Sequence, residues 1–338
     1  MKAAVFHGPG IIKIEEKPKP PIGESSVSIR VEWSSLCGTD AHIYRGNFPV
    51  NPPLVLGHDF SGTVDEVGAN VSKIAVGERV VAEPIRYCGT CNTCLKGRYT
   101  VCDNRKIMGM HTDGSLAEIV VAPEKNVFSI PERVSFEEAA MLEPASVALH
   151  TMDYAKPLPG EHVVILGQGP IGLLHTQVAK TAGLNVLAVE VNNARIALAK
   201  KFGADNVVNP STDDLKAKVM EITRGGADIV IDTTGLPKSV EMTPYLTRNA
   251  GRILLVGSSE ELMTHGPPSE LILAKELSVY GVAGAPLKYP VSLALLAEGR
   301  LDLKSLITHR FKLDQVDEAL KSLTSDTKLI KALVQSET

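Results

Sequence analysis

The sequence predicts an α/β protein in which a β-rich N-terminal domain is followed by a doubly wound parallel-sheet domain. Three observations carry this: a change of pattern near residue 145, a strand and helix alternation after it, and a glycine turn that opens the alternation. Before residue 145, short alternating segments at 27–33, 62–67 and 78–82 are broken by Gly and Pro, after a short first strand at the N-terminus. That pattern belongs to antiparallel strands with one buried face. From His162, strand segments at 162–166, 185–189, 227–232 and 251–256 alternate with helices, the first starting at Pro170 and the others at 192–202, 213–223 and 237–246. Ile171, Leu174 and Val178 share one face of the first helix. Segment 276–281 reads as a late strand of this sheet, and 328–334 as a closing strand.

Composition sets the class. The 338 residues are 44% hydrophobic and 22% charged, with a formal charge of −4, enough chain for two domains with full cores. Mild acidity offers nothing to a nucleic-acid backbone or an anionic membrane, so neither partner is expected. No stretch approaches a membrane span and the N-terminus carries no long apolar run, which makes a cytoplasmic location the default expectation.

Four of the five cysteines form one run, Cys88, Cys91, Cys94 and Cys102, spaced C-x2-C-x2-C-x7-C. Spacings of x2 let successive sulfurs converge on one tetrahedral ion, so the run reads as a closed structural zinc site. Two disulfides in a secreted protein would be the alternative, but cysteines this close in sequence pair poorly.

After the first strand of the second domain comes Gly167-Gln168-Gly169-Pro170-Ile171-Gly172, a G-x-G-x-x-G set between a strand and a helix. Gly167 permits the tight turn, Gly169 the approach of a pyrophosphate, and Gly172 close helix packing; the helix N-terminus faces the anion. Eighteen residues after Gly172, Glu190 ends the next strand, where a carboxylate accepts hydrogen bonds from a ribose and repels the extra phosphate of NADP. NAD is therefore expected. Arg195, five residues on, could stack on adenine or help accept a phosphate.

Cys37 stands outside the run, and His58 follows 21 residues later. A lone cysteine is commonly a small buried hydrophobe and a lone histidine a structural residue. A catalytic zinc needs three protein ligands and an open position, so these two require a third, for which Glu143 is the candidate.

In order, Cys37-Gly38-Thr39-Asp40, Gly57-His58-Asp59-Phe60-Ser61-Gly62, the four-cysteine run, Glu143-Pro144, the glycine turn and Thr308-His309-Arg310-Phe311 span nearly the whole chain. Together they resemble the zinc-dependent medium-chain dehydrogenases, in the branch of sorbitol, other polyol and threonine dehydrogenases. The resemblance implies a GroES-like catalytic domain at 1–147 and 285–338, with a structural zinc lobe at 86–104, and a Rossmann NAD-binding domain at 148–284. It implies two zinc ions per subunit: one in the lobe, one on Cys37, His58 and Glu143. Asp59, where the family more often has Glu, is an alternative ligand or a carboxylate behind the metal. The resemblance further implies that zinc would acidify a bound alcohol whose hydride goes to the nicotinamide, and that a relay from Thr39 through the nicotinamide ribose to His42 would take the proton to solvent. The two-domain layout implies a cleft that closes around NAD.

Within that branch, Glu143-Pro144-Ala145-Ser146-Val147 with His150 resembles the polyol enzymes, whereas His42-Ile43-Tyr44 resembles the threonine enzymes. The balance favours a polyol or sugar-type alcohol, with Tyr44 and Phe48 as candidate pocket residues. L-threonine, simple secondary alcohols and diols are the alternatives. A non-catalytic dinucleotide-binding protein is disfavoured, because such proteins usually lose the ligand positions kept here. The resemblance also implies a homo-oligomer, tetramer before dimer, paired through the late strand.

Overall fold

Strand Ser26–Ser35 is the spine of the first of two units, and its alternation is visible in burial: Val27, Ile29 and Val31 all point into a core. The computed structural model describes residues 1–258 and 266–336. Contacts divide it into a first unit of Met1–Glu143, Tyr289–Gly299 and Leu303 onward, and a second of Pro144–Lys288 with Arg300–Asp302. The boundary falls inside one helix, Leu142–Ala155, between Glu143 and Pro144. Pro144 is tolerated there because a first-turn N–H has no helical acceptor.

In the first unit, Ser26–Ser35 pairs antiparallel with Asp59–Val67 and with Ile119–Pro123. Its last residues pair with the chain's final strand, Lys331–Gln335, through Leu333↔Ser35 and Gln335↔Trp33. The tail thus completes the N-terminal sheet. Strand Ile307–Lys312 joins Lys331–Gln335 in parallel, so this sheet is mixed where an antiparallel one was expected. A smaller sheet of Lys2–Gly8, Ile11–Glu16 and Leu54–Val55 closes over a second core containing Leu36, Leu56, Leu116 and Val334.

The second unit holds a six-stranded sheet in the order Asn206–Val208, Asn185–Val189, His162–Leu166, Ala227–Asp232, Thr247–Leu255, Ser278–Gly281, with every pairing parallel. Val163, Val164, Ile165 and Leu166 are buried, as a strand covered on both faces must be. Strand order reverses at His162–Leu166, the switch point beyond whose C-terminal end an open α/β sheet takes its ligand.

Several elements had not been anticipated. Helix Tyr289–Ala297, YPVSLALLA, is apolar nearly throughout and carries no period to read. Helix Val316–Ser325 does carry one, burying Val316, Ala319 and Leu320. Helix Gly38–Tyr44 and strand Asn206–Val208 are short enough that neighbouring structure decides them.

Candidate metal centres and dinucleotide cavity

Cys37 ends the link from Ser26–Ser35 and starts helix Gly38–Tyr44, while His58 lies just before Asp59–Val67. Asp40 ties the two segments together: one carboxylate oxygen accepts from the Cys37 N–H (2.9 Å), the other from the Gly57 N–H (3.3 Å) and faces His58 Nδ1 at 3.5 Å. Gly57 makes the approach possible. Its φ of +89° suits glycine, and a Cβ there would lie 2.8 Å from Ser115 Oγ and 2.9 Å from Leu116 Cγ.

The result is a cluster in which one ligand atom each from Cys37, His58 and Asp59 lies within 4.8 Å of the others. His58 Nδ1 and both Asp59 oxygens are buried without hydrogen-bond partners. Orphaned polar atoms of this kind are costly unless an ion completes them, so the set fits a divalent cation with one thiolate, one imidazole and one carboxylate.

Electrostatics agree with a cation site. Burial pushes Asp40 up, but the charge and hydrogen bond of His58 outweigh it and hold the carboxyl below its usual range. For His58 burial acts downward, and Asp59 and Asp40 together raise it well above the ordinary imidazole value. Asp59 is raised by burial despite His58 and Lys331. Glu143, half-buried, stands outside the three-atom cluster, yet burial and the charge of Asp59 push its carboxyl up to about 8. Tyr289 is pushed well above the phenol range by burial, then by Glu143 and Asp59. Carboxylates crowded this closely need a cation to ionise together.

The four-cysteine run forms its own lobe. Cys88 and Cys102 sulfurs lie 3.5 Å apart, Cys91 and Cys102 3.9 Å, and all four lie within 4.8 Å of one another. Backbone N–H groups of Cys91, Cys94, Cys88 and Asn104 point at these sulfurs at 3.4 Å. Amides of Thr90 and Cys91 hold the Cys88 thiol down to about 5, whereas burial pushes Cys94 up to about 12. Sulfurs at these separations are unbonded to one another and suited to share one tetrahedral ion.

In the second unit a cavity of about 610 Å³ is lined by Gly167, Gly169, Glu190, Arg195, Thr234 and Lys238 among others. Gly167 has φ +84°, and a Cβ on Gly172 would sit 2.0 Å from Gly167 O. A Cβ on Gly169 would meet nothing, which leaves backbone bare on the cavity wall. Glu190 is fixed by three amides: one oxygen accepts from Gln168 N (2.8 Å), the other from Val191 N (2.7 Å) and Asn192 N (2.9 Å). Arg195 Nη1 lies 3.9 Å from the same carboxylate.

Residues 23–132 match the family described as "alcohol dehydrogenase GroES-like domain", and residues 170–298 the family "zinc-binding dehydrogenase". An L-threonine 3-dehydrogenase of Pyrococcus horikoshii is 39% identical over 331 residues, covering 95% of this chain and 93% of that protein. A sorbitol dehydrogenase of Halalkalibacterium halodurans is 36% identical over 334 residues, 96% of each chain. The crystal structure of a zinc-binding dehydrogenase from Sinorhizobium meliloti bound to NADP superposes with a TM-score of 0.93 at 32% identity, covering 99% of this chain and 98% of that one. The chain is a zinc-dependent medium-chain dehydrogenase. It belongs to the polyol and threonine branch, with the GroES-like plus Rossmann architecture of that family.

In this dehydrogenase, Cys37, His58 and Asp59 come together and Glu143 stands beside them. Thr39 Oγ lies 3.7 Å from Cys37 Sγ, and His42, one helical turn on, has Nδ1 3.3 Å from Arg45 Nη2. Gly167, Gly169, Glu190 and Arg195 line the cavity. Pro170, Ile171 and Gly172 are not among its lining residues: Pro170 begins the helix, Ile171 O bonds His175 Nδ1, and Gly172 packs on the turn. Tyr44 is a core residue whose hydroxyl donates to Asp317 (2.5 Å), so it is packing rather than pocket. Asp40, Tyr289 and Lys331 were not singled out by sequence reasoning. A C-x-x-D pattern opening a helix was a usable signal for Asp40; nothing local marks the other two. Among the described residues no helix is long and apolar enough to cross a membrane.

Proposed function

We propose that this dehydrogenase moves a hydride between a secondary alcohol of the polyol or sugar type and NAD(H), with one zinc at Cys37, His58 and an acidic ligand and a second in the four-cysteine lobe. The observation that carries the proposal is the convergence of half-buried Cys37 with buried His58 and Asp59, whose Nδ1 and carboxylate oxygens are orphaned. Bound there, zinc would act as a Lewis acid on the alcohol or carbonyl oxygen, and the nicotinamide would accept or return the hydride. Asp40 orients the His58 ring from behind. Glu143, close enough to feel the charge of Asp59 and His58, would hydrogen-bond a neighbouring substrate hydroxyl, the reading that favours a vicinal polyol. Thr39 receives the alcohol proton and His42, half-exposed on the same helix face, passes it to solvent.

Glu190 supports NAD over NADP: its carboxylate is held rigidly on the cavity wall, where a 2′-phosphate would meet negative charge. The reading carries with it a cytoplasmic homo-oligomer, tetramer before dimer, with edge strand Ser278–Gly281 as the pairing surface. A second reading, L-threonine 3-oxidation, is favoured by the 39–40% identity to Pyrococcus threonine dehydrogenases.

The test is reduced-nicotinamide absorbance on metal-quantified protein with sugar alcohols, vicinal diols, L-threonine and simple secondary alcohols, each with NAD and with NADP. Turnover of a polyol set with NAD supports the proposal. Turnover of L-threonine alone replaces the substrate while leaving the zinc and hydride chemistry in place.

A further inference from the structure

Arg86 ends the short strand Ile85–Arg86, which pairs with Lys106–Ile107 beside the cysteine lobe. Its Nη2 donates to Val121 O at 2.6 Å, on strand Ile119–Pro123. Its Nε is buried and has no hydrogen-bond partner in the protein. Burial lowers the guanidinium pKa and no neighbouring charge opposes it, although arginine is almost never enclosed without a partner.

Arg86 lines a second cavity, of about 210 Å³, within the first unit, together with Pro20, Pro21, Val55, Thr112 and Ile119 among others. Thr112 brings a further buried atom without a partner, its Oγ1. Asp113, the acid on this wall, is committed elsewhere: Oδ2 accepts from Lys17 Nζ at 2.6 Å and Oδ1 from the Val55 N–H at 3.0 Å. The lining includes none of Cys37, His58 and Asp59 and shares no residue with the dinucleotide cavity.

Water could complete both orphaned atoms, but it would leave the guanidinium charge uncompensated among prolines and aliphatic side chains. An anion does both. A carboxylate suits the donors, since it neutralises the guanidinium while accepting from the Nε–H and from the Thr112 hydroxyl. The apolar walls accept a hydrocarbon body, and a volume below the roughly 300–1,000 Å³ of drug-sized sites limits that body to a few carbons.

We propose that this cavity binds a short aliphatic carboxylic acid as its anion, apart from the alcohol and dinucleotide sites, with Arg86 as charge partner and Thr112 as second donor. The proposal does not depend on the metal or cofactor reading. The cavity wall is bonded to the segment before His58, through Gly114 N to Val55 O (2.9 Å) and Leu116 N to Leu56 O (3.0 Å). Occupancy should therefore be felt in that segment.

The test is titration calorimetry of the full chain with butyrate as the probe, in buffer free of chloride and phosphate. Wild type and Cys37→Ser should bind it alike. Arg86→Met should weaken binding roughly thirtyfold or more and Thr112→Val about tenfold, the scales of a lost charge pair and a lost charge-assisted hydrogen bond. Arg86→Lys, which keeps the charge without the Nε donor, serves if the Met variant does not fold, with a loss of about tenfold. Hydrogen exchange with butyrate should protect amides at 55–57, 112–116 and 119–121. Protection at 167–172 and 190–195 instead would place the acid in the dinucleotide cavity and overturn the proposal. Loss of binding in Cys37→Ser would place it on the candidate metal and do the same. A purely structural Arg86 would show a lower melting temperature in Arg86→Met with butyrate affinity unchanged, which also overturns it. So would inorganic phosphate binding as tightly as butyrate, or the absence of butyrate binding to wild type.

Discussion

Asp40 does more than its place in a seven-residue helix suggests, because its two oxygens bind amides of both candidate ligand segments and one of them also faces the His58 ring. Asp40→Asn turns one acceptor into a donor opposite an N–H. Metal affinity at the Cys37 and His58 site should fall about 10- to 100-fold by chelator competition, while the lobe keeps its ion. Glu190 is similarly overcommitted, and Glu190→Ala removes a charged acceptor worth roughly 1.5–3 kcal/mol. The NAD to NADP ratio of kcat/KM should drop about tenfold or more. His175 tests burial: fully enclosed, it bonds Ile171 O and Thr151 Oγ, and burial lowers its pKa to about 4. The unfolded chain takes up this proton near 6.5 and the folded one only near 4, so stability should fall as pH drops through that window, by about 3 kcal/mol in all. Thermal melts of His175→Asn across pH 7 to 4 should show a flatter dependence than wild type.

At the scale of elements, the glycine turn works through close approach. Gly172→Ala places a methyl 2.0 Å from Gly167 O, within the strand-to-helix junction itself. NADH fluorescence titration should show at least tenfold weaker binding, with polyol chemistry lost only through cofactor loss and the Cys37-dependent metal unchanged. The Rossmann strands and helices were legible because a parallel sheet covered on both faces reads as apolar runs between helical periods; 162–166, 185–189 and 227–232 are strands to the residue. Helix Leu142–Ala155 was not legible as one element, since the change of composition near residue 145 falls within it.

For the whole molecule, the two units should respond to different ligands. Hydrogen exchange with NADH should protect amides around 167–172, 190–195 and 233–239, the walls of the cavity, whereas stripping metal with a strong chelator should deprotect 86–104. Protection of the cysteine lobe by NADH alone would contradict this assignment. The sequence by itself determined the spacing-based features: the four-cysteine lobe, the glycine turn with Glu190, the alternation of the second unit, and Cys37 and His58 as a pair in search of a third ligand. These are local, because a turn, a helix period or an x2 spacing constrains neighbours along the chain. Only the tertiary structure decided that Asp59 rather than Glu143 joins the three-atom cluster, that Asp40 reaches across to Gly57, 17 residues on, and that Lys331 comes back 295 residues after Leu36 to face the centre. Those contacts depend on sheet pairing between distant strands, and a lysine's surroundings there leave no trace in its own neighbours.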